Sequence, residues 1–209
     1  ADFDSDLVGW WRGEDGARDE SDEFLSLDGG YINSSSTGIG GLTSATVSSW
    51  VNFNTGDTSE QHIVGITSVQ FYYSSNTLRL QNDLSVDIGD IRGAWHHVAY
   101  KFNESGRWVY LDGALVNNDS TSLSYTASPA VRIGQYYGAG AYSLNGSIDN
   151  VLVLNRTLTA AEISALYSRG RREKSYSDAS LVSAWRFDGD FTDSLGVNNG
   201  TAQGGASIN

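Results

Sequence analysis

Three histidines are the residues of this chain whose chemistry can be tested most directly against their spacing. His96 and His97 are neighbours in the strand-like segment WHHVAYKFN (95–103), and neighbouring side chains on a strand point to opposite faces. The pair is therefore poorly placed to bind one metal ion together. His62 stands alone on a different predicted strand, and nothing else provides a base for a serine or threonine nucleophile. We expect His96 and His97 to be structural.

Carboxylates outnumber basic side chains, which gives the chain a formal net charge of -12, and only Lys101 and Lys174 are lysines. This balance excludes a nucleic-acid partner, because phosphate contacts need a basic face. It favours either cations as partners or an acidity that only keeps a surface protein soluble. Cysteine is absent, so neither disulfides nor a thiolate metal site can stabilise the fold.

The sequence also bears on location. No apolar run of eighteen or more residues is present, so no membrane span is expected, and the start at Ala1 suits a mature product after signal cleavage. The tyrosines of the segment GQYYGAGAYS are the best glycan-binding candidates, with hairpin packing as the alternative: Tyr136, Tyr137 and Tyr142. Six N-x-S/T triplets would suit a glycosylated protein that is extracellular or at the cell surface: Asn33, Asn103, Asn118, Asn145, Asn155 and Asn199.

The chain repeats its opening motif near its end. LVGWWRGEDGARDES (7–21) and LVSAWRFDGDFTDSL (181–195) align without a gap at a constant offset of 174 positions. The identical pairs are Leu7/Leu181, Val8/Val182, Trp11/Trp185, Arg12/Arg186 and Asp19/Asp193. A lone apolar strand would expose unpaired backbone groups, so residues 181–209 are predicted to join a sheet, either their own or a neighbour's.

Short aromatic and β-branched runs separated by turn residues predict an all-β protein with two antiparallel sheets. Strands are expected at 7–11, 24–28, 45–53, 62–67, 69–74, 77–82, 95–103, 107–113, 114–118, 130–136 and 147–155. One short helix is predicted at 159–170, with Thr159 and Glu162 as a capping box and Gly170 as its stop. The polar segment 171–180 is predicted to link the module at 1–170 to the tail at 181–209.

Three further stretches resemble a known family. GAWHHVAYKFNESGRWVYLDGALV (93–116), then VRIGQ (131–135) and NGSIDNVLVLNRTLTAAEISALYSRG (145–170), resemble the LamG-like jelly-roll module of the concanavalin A-like lectin/glucanase superfamily. The resemblance implies a two-sheet jelly-roll sandwich that binds carbohydrate or protein outside cells. Both copies of the repeat look like the first strand of that family.

The resemblance also implies calcium, which members often hold at the sandwich edge. Asp149 in the Ile-Asp-Asn-Val strand is then a candidate ligand, with a buried carboxylate that accepts backbone N–H bonds as the equal alternative. Calcium needs six to eight oxygen ligands, and the acidic stretches of the two copies could contribute them. These further candidates are Glu14, Asp15, Asp19, Asp188, Asp190 and Asp193.

The superfamily includes glycoside hydrolases, which need two suitably separated carboxylates. The hydrolases carry them at alternate positions of one strand, as Glu-x-Asp-x-x-Glu, and no predicted strand here has that pattern. The dense acidic runs, Glu14 to Asp22 and Asp188 to Asp193, are interrupted by glycines and are predicted to be loops. No catalytic residue is therefore predicted.

Three hypotheses follow. In the favoured one, the tail inserts into the sheet of a neighbouring copy, head to tail, and builds a structural or adhesive homopolymer. In the second, the tail returns to complete its own sandwich, which then binds glycans as a monomer. In the third, the chain is part of a tandem adhesin. The residues expected to dock the tail are Leu181, Val182, Trp185, Phe187 and Phe191.

Overall fold

Antiparallel strands with apolar residues on one face build two packed sheets, as the sequence predicts. The computed structural model describes residues 23–66, 69–81, 84–126, 131–137, 142–173 and 175–209. The elements are β1 (Leu25–Asp28), β2 (Tyr31–Ser34), β3 (Ala45–Phe53), β4 (Gln61–Ile66), β5 (Val69–Ser74), β6 (Thr77–Leu80), β7 (Leu84–Asp87), β8 (His96–Asn103), β9 (Gly106–Leu111), β10 (Ala114–Asp119), β11 (Val131–Ile133), β12 (Asn145–Leu154), α1 (Ala160–Arg169), β13 (Leu181–Trp185), β14 (Gly200–Gln203) and β15 (Ser207–Ile208).

The first sheet has the strand order β10-β9-β8-β3-β12-β1-β15, and β13 also pairs with β12. The second sheet has the order β14-β2-β11-β4-β5-β6-β7. The core lies between them and contains aromatic pairs that join the two sheets. Phe53 of β3 stacks on Tyr73 of β5 at 4.8 Å, and Phe71 of β5 meets Tyr100 of β8 edge-on at 5.2 Å.

The single described helix forms as predicted. Thr159 accepts a hydrogen bond from the backbone N–H of Glu162, whose carboxylate accepts one from the Thr159 N–H. Ile163 and Leu166 are buried against the outer face of the first sheet. The helix ends at Gly170, which has a φ of +79°. Within the described part of the chain, no helix is long and apolar enough to cross a membrane.

Several strands were not predicted. β2 (YINS) and β7 (LSVD) are only four residues long, and so short a run gives little periodic signal even where it alternates, as β7 does. β14, with the sequence GTAQ, carries almost no apolar signal and forms because β2 offers it a free edge. The strand predicted at 7–11 lies outside the described residues.

The tail lies in both sheets of its own chain. β13 pairs with β12, β14 with β2, and β15 with β1. Phe24 and Asn209 exchange two backbone hydrogen bonds of 2.9 and 3.0 Å beyond the end of β15. Of the two alternatives for the tail strand, the structure therefore has the returning one, and it does not show the donation to a neighbour that the sequence analysis favours.

β12 accommodates two neighbours along one edge because its ladder is interrupted. Residues 145–148 pair with β1 and residues 151–154 pair with β13, with an irregularity between them at Asp149 and Asn150. Asp149 is fully buried; its Oδ1 accepts a hydrogen bond from the Asn150 N–H at 2.7 Å, and its Oδ2 lies 2.9 Å from Nη1 of Arg171. The Asn150 amide donates to the Arg171 carbonyl at 2.5 Å.

The pair Asp149–Arg171 directs the chain after helix α1 back across β12, towards the start of β13. Removing one member of a buried ion pair leaves the other charge uncompensated. We expect Arg171→Met to lower the free energy of unfolding by about 3–5 kcal/mol, measured by urea denaturation. The exposed Arg169 offers a control, since Arg169→Met should change it by less than about 0.5 kcal/mol. Equal effects of the two variants would contradict the role given to the buried pair.

Candidate functional site

The three candidate tyrosines surround the ends of one loop on the second sheet. Tyr136 and Tyr137 follow β11, and Tyr142 precedes β12; an isolated bridge between Gln135 and Ser143 holds the two ends together. The rings of Tyr136 and Tyr142 meet edge-on with 6.1 Å between centroids. Tyr137 is 41% exposed and Tyr142 is 51% exposed. The loop therefore presents two tyrosine side chains to solvent.

His62 lies against Tyr136 and Tyr142, an association that no pattern in the sequence predicts. Its ring stacks on Tyr72 at 4.7 Å and meets Tyr136 edge-on at 5.1 Å. Its Nε2 lies 2.8 Å from the Glu60 carboxylate, and its Nδ1 lies 3.2 Å from the Gln70 side-chain oxygen. Burial lowers the pKa of His62 despite the opposing effect of Glu60. A neutral imidazole has one N–H; with that proton on Nε2 the ring donates to Glu60 and holds this half-exposed carboxylate in one place.

Arg132 of β11 supports the same region from the other side. Its guanidinium carbon lies 4.9 Å from the centroid of the Tyr31 ring and 5.3 Å from that of Tyr137. Its Nη1 donates to the Gln135 side-chain oxygen at 3.0 Å and to the Tyr136 carbonyl at 3.1 Å. The tyrosine loop is thus fixed on a rigid strand by a cation that spans two rings.

We call the surface formed by Glu60, Tyr136, Tyr137 and Tyr142, with the buried His62 beneath it, the tyrosine face. It combines exposed aromatic rings with a carboxylate that the buried imidazole holds in place. Aromatic rings provide apolar contact area at low entropic cost, and the polar groups supply directional hydrogen bonds. This combination is suited to binding a ligand that has both apolar C–H faces and hydroxyl groups.

The candidate metal ligands do not converge among the described residues. Asp193 is buried, and it accepts N–H bonds from Ala184, Leu195 and Asn198. Asp190 accepts two bonds from Thr192 in an exposed turn. No group of three or more histidine, cysteine or acidic side chains that could hold a metal occurs in the described ranges.

Asp149 and Asp193 therefore match the alternative in which a buried carboxylate satisfies N–H donors, and they do not fit a calcium site by themselves. Asp188 and Asp190 are exposed and lie two residues apart. Glu14, Asp15 and Asp19 lie outside the described residues. Calcium binding stays a prediction.

The acceptor asparagines of the triplets differ in exposure. Asn33, Asn118, Asn155 and Asn199 are exposed, whereas Asn103 is half-buried. Asn145 is also half-buried, and its amide group is engaged with Asp57 and Asn54. Four of the six triplets therefore present the side chain that a glycan would need.

The residues predicted to dock the tail all belong to the described sandwich. Trp185 and Phe187 are 0% and 1% exposed, and they belong to the main core together with the strands of both sheets. Val182 and Phe191 pack against that core. Leu181 packs instead against the cluster beneath helix α1.

Comparison with known proteins bears on this arrangement. A family model described as Laminin_G_3, of the concanavalin A-like lectin/glucanases superfamily, matches residues 27–164, which is more than half of the chain. The chain belongs to this superfamily. Comparison with curated protein sequences finds no match.

Solved structures share the lectin-like fold at low sequence identity. A Bacteroides ovatus protein described as carbohydrate binding has a TM-score of 0.72 and 16% identity; the match covers 90% of this chain and 59% of that protein. A heptameric pentraxin from Limulus polyphemus has a TM-score of 0.65 and 18% identity over 92% and 96% of the two chains. Domain 4 of an extracellular arabinanase from Geobacillus stearothermophilus, solved with arabinotriose, has a TM-score of 0.55 and 18% identity over 68% and 75%. At these identities the likeness shows the fold alone.

The lectin-like sandwich contains one serine–histidine contact, which the sequence analysis did not identify. Nε2 of His97 lies 2.8 Å from Oγ of Ser48, but both residues are buried, at 1% and 3% exposure. Trp50 and Tyr167 pack around the His97 ring. Burial lowers the pKa of His97 to about 4, against a smaller opposing effect of Asp112. A buried neutral histidine of this kind stabilises the packing beneath the helix.

His96 makes a separate contact, with its Nδ1 2.8 Å from Oδ2 of Asp112. The two imidazole rings thus have different partners, Ser48 for His97 and Asp112 for His96.

The buried His97 makes stability depend on pH. The unfolded chain binds a proton at His97 below about pH 6.5 and the folded chain does so only below about pH 4, so this contribution to stability is lost as the pH falls through that window. The loss is on the order of 3 kcal/mol. We expect His97→Gln to flatten the dependence of the free energy of unfolding on pH between 6.5 and 4, measured by urea denaturation.

His62 contributes a pH slope of the same sign in the wild-type protein and in His97→Gln, so the difference between the two slopes isolates the contribution of His97. His96→Gln is the matched control and should retain most of the wild-type slope. A wild-type slope in His97→Gln would contradict the assignment.

Proposed function

We propose that this protein is a non-enzymatic extracellular module that binds neutral oligosaccharides on the tyrosine face. The observation that carries the proposal is the exposed ring of Tyr142, 6.1 Å from the His62 ring that holds Glu60, with the exposed Tyr137 at the other end of the same loop. A sugar ring can stack its C–H face on a tyrosine while its hydroxyls bond to the carboxylate.

The charge of the protein supports a neutral ligand. A net charge of -12 repels acidic sugars, and the carboxylate of Glu60 adds to this locally. Carbohydrate binding also agrees with the description of the Bacteroides ovatus protein and with the arabinotriose complex of the arabinanase domain. The exposed triplets support a location outside the cell.

A binding role is favoured over catalysis for a chemical reason. The Ser48–His97 contact is closed to substrate by burial, and His97 is neutral over the whole physiological pH range. Among the residues of the tyrosine face, Glu60 is the one acidic member, whereas most glycoside hydrolases use a pair of carboxyl groups. The face is therefore equipped to hold a sugar rather than to cleave it.

The carbohydrate proposal is tested with a panel of neutral oligosaccharides that includes arabinotriose, with a sialylated trisaccharide as the charged comparator. We expect Tyr142→Ala to weaken the binding of a neutral sugar about tenfold in isothermal titration calorimetry, because the stacking ring is lost. Tyr142→Phe keeps the ring and should bind within about threefold of the wild-type protein.

Leu115→Ala removes an equally exposed apolar side chain on a distant edge strand and serves as the control for non-specific effects. Binding that survives in Tyr142→Ala, or a panel without any ligand, would contradict the proposed site.

A second function is head-to-tail self-assembly, in which the tail docks on another copy. It is supported by the way the tail is held. Backbone pairs join it to the edges of β12, β2 and β1, its apolar side chains enter the core, and the linker 171–180 determines which molecule receives it. The same contacts can form between copies without any new surface.

Linker length provides the test, because a shortened hinge prevents closure on the same chain and favours exchange. Deletion of residues 175–177 should convert the protein into native-like oligomers or filaments, seen by light scattering after size-exclusion chromatography and by negative-stain electron microscopy. An insertion of three Gly/Ser residues at the same place should remain monomeric. A deletion variant that is folded and monomeric would contradict exchange.

The same samples test the calcium prediction. If Asp188 and Asp190 act with acids of residues 14–19, the oligomers should dissociate in chelator and return with added calcium. Assembly that is unchanged by chelator and by added calcium would show that it does not depend on metal binding.

A further inference from the structure

β13 pairs with the edge of β12 at residues 151–154, and we call this position the place beside β12. A few side chains of the tail determine which segment fits there. Trp185 enters the core between the sheets, and Leu181 and Ala184 face the cluster beneath helix α1. Asp193 closes this segment on itself, since its Oδ1 accepts the Ala184 N–H at 2.8 Å. These contacts combine side-chain burial with a local turn, so any segment with the same residues at the same spacing can reproduce them.

Residues 7–19 carry the same residue as the tail at three of these four positions. Leu7, Trp11 and Asp19 stand at the spacing of Leu181, Trp185 and Asp193. Four of the five identities of the repeat thus coincide with residues that pack against the core or its neighbouring cluster or that close the turn; the fifth, Arg12, matches the half-buried Arg186.

Two differences explain why the tail is preferred. Trp10 stands at the position of Ala184, which is fully buried among the side chains under the helix, so an indole there would be overpacked. Gly13 stands at the position of Phe187, whose ring is 1% exposed in the core. Gly13 accepts the positive φ of 55° found at Phe187, but it buries no side chain.

The connection to β1 permits the alternative. Trp185 pairs with Val151 and Leu25 pairs with Ile148, on the same edge of β12 and in the same direction. The gap of three residues along a strand is about 10 Å. The thirteen residues 12–24 can span it several times over, and the chain need not reverse its direction.

We propose that the place beside β12 is exchangeable, and that residues 7–19 of the same chain occupy it as the alternative to residues 181–193. The two segments are then competing first strands of one sandwich, with the balance set towards the tail by Ala184 and Phe187. Residues 196–209 have no counterpart in the first copy, so β14 and β15 are outside the exchange. The inference is independent of carbohydrate binding, and it holds within one molecule whether or not copies assemble.

Because the chain has no cysteine, engineered pairs report the occupant directly. Ser183 lies opposite Val153, and Gly9 is the counterpart of Ser183 in the first copy. The pair S183C/V153C therefore reports the tail, and the pair G9C/V153C reports residues 7–19. Disulfides formed under mild oxidation in the full chain are counted by non-reducing electrophoresis and peptide mass spectrometry.

We expect G9C/V153C to form an intrachain disulfide in a minor fraction of molecules. Adding W10A removes the overpacking, so it should raise that fraction severalfold and lower the S183C/V153C fraction. A pair of G9C with N118C, on the distant edge strand β10, gives the background of random collisions. The S183C/V153C protein shows in the same experiment that a cysteine at position 153 is tolerated.

Two results would overturn the proposal. One is a G9C/V153C yield at the collision background in both the parent and the W10A protein while S183C/V153C oxidises completely. The other is a G9C/V153C disulfide that links two chains, which would reject the intrachain occupant. Head-to-tail assembly is judged separately, by whether S183C/V153C links two chains, so the two ideas can fail independently.

Discussion

The buried contact between Asp149 and Arg171 is the constraint on which the rest of the sandwich depends. The carboxylate lies where the ladder of β12 is interrupted, and the arginine follows immediately after the C-cap of helix α1. The contact therefore fixes the irregularity that divides one strand edge between β1 and β13, and it also fixes the direction in which the chain leaves the helix. A continuous ladder would give that edge to a single partner.

Elements with a local cause could be predicted from the sequence. The helix was found because Thr159, Glu162 and Gly170 cap it at both ends, and the turn at Asp112 and Gly113 has the positive φ values that its sequence indicates. The destination of the tail could not be predicted, because a repeated strand motif states which edge it fits but not which molecule provides that edge. The short strands β2 and β14 were missed because each depends on its neighbour for its backbone bonds.

The tyrosine face likewise combines residues that are neighbours in the sequence with residues that only the fold brings to them. Tyr136, Tyr137 and Tyr142 stand close in sequence around a glycine-rich loop, so their association is local. His62 and Glu60 come from β4 and the residue before it, and they reach the loop only through the pairing of β4 with β11 and β5. No pattern within a single segment contains that information. The pKa of His62 falls through burial by these partners, so its neutral, donating state is also a property of the assembled face.

On this proposal, the repeated motif provides two segments that compete for one place in the sandwich. A sandwich with one place beside β12 and two segments able to fill it gains nothing in stability from the second segment, but it gains an alternative state. The difference between Ala184 and Trp10 makes the alternative less stable without making it sterically impossible, since an indole at that position requires only that the covering side chains move, among them the half-buried Tyr176 of the linker. A segment that fitted equally well would give a mixture, and one without Trp11 and Asp19 would not compete at all. The residues that the first copy shares with the tail, and those in which it differs, are the ones expected of an alternative strand that is less stable in this place.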